Sequence, residues 1–126
     1  MYFDHEKLDV YRVSMELTVL IDEIVEHLPR GRAYLADQLH RAGTSILLNV
    51  AEGAGEYAAN EKMRFYRIAR RSGTETAAIL ELGNQLKLIE EARYKKGREL
   101  LIRIVSMLTK MTRDSVTVTE TVTVTN

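Results

Sequence analysis

The chain has 126 residues, 18 acidic and 18 basic side chains and no cysteine, so its formal net charge is zero. That length supports one domain with a real core, and the missing cysteines exclude a disulfide framework, a thiolate nucleophile and a Cys-ligated metal. Met1 to Asp9 lacks the apolar stretch of a signal peptide, and no apolar run approaches the roughly 20 residues of a membrane span, so a cytoplasmic bacterial protein with no membrane partner is expected.

In chain order, the spacing predicts helix one over residues 6–27, with Val10, Val13, Leu17, Ile21, Ile24 and Leu28 recurring every three or four positions. Pro29 and Gly31 break that pattern in a short turn. Helix two is predicted over 33–51. Its seam would be Leu35, Leu39, Ala42, Ile46, Asn49 and Gly53, which sets an amide among apolar neighbours. Gly53 and Gly55 are read as its left-handed C-terminal stop.

Asn60 is read as the N-cap of a long helix three over 60–90. The inward seam of that helix would be Phe65, Ile68, Ser72, Glu75, Ile79, Leu82, Leu86 and Ile89. Helix four is predicted over 93–113, with Leu101, Ile104, Leu108 and Met111 inward. Short turns between long helices favour antiparallel neighbours, so the expected fold class is all-α. It is an antiparallel up-down-up-down four-helix bundle over residues 1–113. Residues 114–126 form a C-terminal tail that alternates valine with threonine, a strand-like pattern. One strand alone is not stable, so the tail is expected either to be disordered or to pair with another chain's edge.

The zero net charge hides a strong asymmetry. Residues 1–28 carry seven acids against Lys7 and Arg12, a net of −5, whereas residues 62–71 carry Lys62, Arg64, Arg67, Arg70 and Arg71 with no acid. Residues 93–103 add Arg93, Lys95, Lys96, Arg98 and Arg103 against Glu99. Arg64, Arg67 and Arg71 share one stripe of helix three beside Phe65 and Tyr66. Arginines presented this way suit phosphate contact. Lys62, Arg64, Arg67, Arg70, Arg71, Arg93, Lys95, Lys96 and Arg98 are therefore the candidate nucleic-acid contacts. The competing reading is that these bases pair with the acids of helix one, within or between subunits.

Asn49, Ser72 and Glu75 interrupt otherwise apolar seams. A carboxylate at such a position is costly unless paired and hydrogen-bonded. Gln38 and Arg41 are the expected partners, which gives a buried polar network of Gln38, Arg41, Asn49, Ser72 and Glu75. Such a network fixes helix register, and a ligand or catalytic pocket is the alternative. Asp37 and His40 have the spacing of two ligands on one helix face, but no second such motif is present to complete a di-iron site. Gly53-Ala54-Gly55 lacks the residues of a phosphate loop, and no serine has an evident histidine base. No catalytic residue, metal or cofactor is expected.

The run Gln38-Leu39-x-Arg41-Ala42-x-x-Ser45-Ile46-x-x-Asn49-Val50-Ala51-Glu52-Gly53 resembles the hallmark of the four-helix-bundle family named for the 23S rRNA intervening sequence. Leu8-Asp9-Val10-Tyr11, Leu28-Pro29 and Phe65-Tyr66-x-x-Ala69-Arg70-x-Ser72-x-x-Glu75 resemble its flanking signatures, so the resemblance spans about residues 8–112. Leu35 replaces a glycine often found after the aromatic at Tyr34, Arg71 stands where glycine is usual, and the tail lies outside the pattern. The resemblance implies a non-enzymatic bundle that assembles as a ring, often a homopentamer. Related bundles are accessory variability determinants of diversity-generating retroelements, which bind nucleic acid and a reverse transcriptase. That relation implies RNA or DNA and a reverse transcriptase as partners here.

Overall fold

The computed structural model describes residues 1–113, which form four α-helices and no strand. The expectation for the tail, 114–126, lies outside the described residues. A one-turn 3₁₀ segment, Asp4–Lys7, comes first, and extended Leu8 separates it from α1, Asp9–Glu26. The helix therefore starts at Asp9 rather than Glu6, with a carboxylate in the first turn, where the helix dipole favours it. The seam of α1 is as the spacing predicts: Val10, Val13, Leu17, Ile21 and Ile24 are buried, and Leu28 packs against the core from the turn. Gly31, at φ +89°, lets the chain reverse before α2.

Helix α2 spans Ala33–Ala54, three residues longer than predicted. Gly53 is inside it and buried, and Gly55 caps it at φ −85°, so neither supplies a left-handed stop. Gly53 is there for space: a Cβ on it would lie 2.6 Å from Cε1 of Tyr66. Helix α3 spans Ala59–Gln85 and begins after Ala58, so Asn60 sits in its first turn and is not its cap. It ends five residues early because Lys87 turns left-handed at φ +58° and the Leu88 amide donates back to the Gly83 carbonyl. Helix α4 spans Glu91–Met111, with Leu100, Leu101, Ile104 and Leu108 buried.

Each helix packs on its neighbours in chain order, and α4 packs on α1, while among the described residues the backbones of the diagonal pairs stay more than 8 Å apart. Along α2 and α3 the contacts run from Gly53 against Tyr66 to Leu35 beside Gly83, with Ile46 near Gly73 between them.

The core face of α3 differs from the predicted one. Tyr66, Ala69, Gly73, Thr76, Leu80 and Gly83 point inward with Ser72 and Ile79, while Glu75, Leu82 and Leu86 are exposed and Phe65 and Ile68 are half-buried. The true face is one residue on from the stripe that hydropathy favours. Its small residues let neighbouring side chains approach the α3 backbone, as Val105 does at Gly73 and Ile89 at Gly83. On α2, Val50 takes the buried place expected for Asn49, which is half-buried at the edge of the seam.

Candidate nucleic-acid interface

The polar residues and the cations separate into distinct places. At the edge of the α2–α3 contact, the Ser45 and Ser72 hydroxyls lie 2.8 Å apart and share a hydrogen bond. Asn49 Nδ2 donates to the Ser45 carbonyl at 2.8 Å and to Ser45 Oγ at 3.1 Å. Thr76 Oγ1 donates to the Ser72 carbonyl at 2.7 Å. This short chain gives partners to the Asn49 Nδ2 group and to the Ser72 hydroxyl. It does not extend to Gln38, Arg41 or Glu75, which are exposed and make no side-chain hydrogen bond or ion pair among the described residues. The buried five-residue network is thus corrected to Ser45, Asn49, Ser72 and Thr76. Turning α3 by one residue carries the Glu75 carboxylate into water and removes its need for a buried partner.

Arg41, Asp37 and His40 line an open groove along α2 with Ser45, Leu48 and Asn49. Glu75, expected beside Arg41 and Asn49, does not line this groove. His40 Nε2 lies 3.5 Å from Asp22 on α1, and among the described residues no three His, Asp or Glu side chains gather as a metal set.

Several of the candidate cations are occupied within the chain. Lys62 Nζ donates to the carbonyls of Gly53 at 2.7 Å and Ala54 at 3.2 Å, so it closes the C-terminal end of α2, and it lies 5.8 Å from the Tyr66 ring centre. A cation at that end meets the negative pole of the helix. Burial pushes the Tyr66 phenol above its usual pKa. Arg64 pairs with Glu61, whose hydrogen bond and charge raise the guanidinium pKa, and stacks 4.6 Å from the Phe65 ring centre. On α4, Arg93 lies 3.8 Å from Glu23 and 3.4 Å from Glu90, and Lys95 and Lys96 face Glu91 and Glu16. Two acids of α1, Glu16 and Glu23, therefore meet cations of α4, and no ion pair joins α1 to a cation of α3 among the described residues.

Arg67, Arg71 and Arg98 are exposed with no ion-pair partner among the described residues. Half-buried Arg70 donates to Thr112 Oγ1 at 2.9 Å, which ties α3 to the end of α4. Thr112 stands beside Arg113 and two residues from Lys110, both exposed and without an ion-pair partner among the described residues. One end of the α3–α4 pair thus gathers Arg67, Arg70, Arg71, Lys110 and Arg113. Lys110 and Arg113 lie outside the denser basic stretches at 62–71 and 93–103, and the 42-residue link from Arg70 to Thr112 brings them to the end of α3.

A family model described as 23S rRNA-intervening sequence protein matches residues 6–110. Among solved structures, the chain is similar to a protein of unknown function from the S23 ribosomal protein family of Bacteroides thetaiotaomicron VPI-5482. The two are 23% identical with a TM-score of 0.77, over 83% of this chain and 99% of that one. At that identity the likeness speaks to the fold. No curated protein matches the chain.

Proposed function

Because the chain belongs to the 23S rRNA-intervening sequence protein family, we propose that it is a non-enzymatic, oligomeric four-helix bundle that binds nucleic acid through the basic end of α3 and α4. The bundle runs up-down-up-down with antiparallel neighbours, a course supported by the contacts from Gly53–Tyr66 to Leu35–Gly83. Copies associate as a ring, a homopentamer by family resemblance, which multiplies a modest local charge around an axis. The protein works in the cytoplasm as a scaffold or accessory protein for RNA or DNA, with a reverse transcriptase of a diversity-generating retroelement as its protein partner.

The observation that carries this reading is the placement of Arg67, Arg70, Arg71, Lys110 and Arg113 at one end with no carboxylate paired to them among the described residues. Guanidinium groups so placed contact phosphates without first breaking an ion pair. A second reading, a structural or protein-interaction bundle with no nucleic-acid role, draws support from Arg93, Lys95 and Lys96, whose charges already meet acids of the same chain. Native mass of the protein alone and with mixed short RNA and DNA, at low and moderate salt, separates the two. An assembly that gains nucleic acid and loses it with salt supports the proposal. An assembly that takes up none at either salt supports the second reading.

A further inference from the structure

We propose that the groove between α3 and α4 is a docking site for this chain's own C-terminal tail, with Val116 and Val118 against its apolar wall and Glu120 at Arg98. Ala77 of α3 and Leu101, Ile102 and Val105 of α4 form that wall, and Arg98 stands at the end nearer the start of α4. Ile102 leaves 56% of its surface in water, and Arg98 is exposed with no ion-pair partner among the described residues. An apolar wall with an unpaired cation at one end suits a segment that offers apolar side chains followed by an acid. The tail has that order. Ser115 to Thr125 alternates threonine with valine, so Val116, Val118 and Glu120 share one face of an extended segment, and Thr117 and Thr119 share the other. The described residues form no strand, so they give this segment no sheet edge to join.

The reach fits as well. Helix α4 ends at Met111, and Arg70 donates to Thr112 across the α3–α4 pair, so the chain passes the mouth of this groove just before Arg113. Back along α4 from Arg113, the helical rise puts Ile102 about 16 Å and Arg98 about 22 Å away. An extended segment covers those distances in about five and about seven residues, which brings Val118 to Ile102 and Glu120 to Arg98. Asp114 and Ser115 are turn-forming types at the point where the chain must reverse. The long side chains of Glu120 and Arg98 take up the length that the reversal uses. An exposed ion pair contributes little by itself, so the valine contacts hold the segment and the Glu120–Arg98 pair sets its register. Docking of this kind needs neither nucleic acid nor a second copy, and it takes Arg98 out of the phosphate-contact set.

The chain has no cysteine, so an introduced pair reports a single contact. The test is mild oxidation of the full chain carrying Ile102→Cys with Val118→Cys, at low protein concentration. Met15→Cys with Val118→Cys, which uses an exposed position on α1, is the comparison pair. Intact mass and a non-reducing gel separate a bond within one chain from a bond between two, and circular dichroism checks that the helices persist. The first pair should close within one chain at least about tenfold faster than the second, because a seated segment raises the local thiol concentration. Arg98→Glu or Glu120→Arg added to the first pair should slow its closure, and the two together should restore it. Equal rates for the two pairs, a bond formed only between chains, or charge substitutions without effect would overturn the proposal.

Discussion

Lys62 offers a sharp separation of structural from binding charge. Its ammonium reaches two carbonyls at the end of α2, at 2.7 and 3.2 Å, from a half-buried position. Lys62→Met keeps most of the stem and removes the charge and both donors. Hydrogen bonds made by a charged group contribute about 1.5–3 kcal/mol net, and a cation at a helix C-terminus about 0.3–1 kcal/mol. Partial exposure discounts both, which leaves a loss of about 1–2 kcal/mol. For a domain of this size that lowers Tm by roughly 4–8 °C. Thermal and urea unfolding followed by circular dichroism measure the loss, and fluorescence anisotropy with a labelled RNA measures affinity in parallel. Stability should fall while RNA affinity holds. Unchanged stability with weakened RNA binding would refute the capping role and return Lys62 to the phosphate-contact set.

Two further predictions concern the core. The Ser14 hydroxyl is the one fully buried side-chain polar atom without a hydrogen-bond partner among the described residues, so Ser14→Ala should stabilise the fold by about 1 kcal/mol; a loss on urea unfolding would mean that the hydroxyl has a partner. The raised pKa of Tyr66 means that the unfolded chain releases this proton first, from about pH 10. Stability is then complete below that pH and falls as pH rises through the higher folded value. Tyr66→Phe should flatten part of that alkaline loss, and an unchanged slope of unfolding free energy against pH would contradict it.

What could be read from the sequence divides by the physics involved. Helix α1 was legible because its evenly spaced apolar residues Val10, Val13, Leu17, Ile21 and Ile24 are all buried. On α3 the two properties part. Ala69, Gly73 and Gly83 are inward because neighbours approach closely there, and small residues carry little hydropathy. That one-residue rotation misplaced Glu75 and hid Thr76. The cation stripe was legible as a run of charge, but which charges stay unpaired depends on contacts between distant segments. Lys62 is engaged only because the chain bends back after Gly55, and Lys110 and Arg113 join Arg70 only across the α3–α4 contact.

The claim that the basic end of α3 and α4 binds nucleic acid is tested most directly by the salt dependence of RNA binding. Anisotropy titrations would compare the wild type with Arg67→Gln, Arg71→Gln and the double variant. Each phosphate contact removed should lower affinity and reduce the slope of log K against log salt by about 0.7 for a single strand. The double variant should lose about twice that, with helical content and assembly unchanged. A wild-type affinity that ignores salt, or slopes the same in all four proteins, would contradict the account.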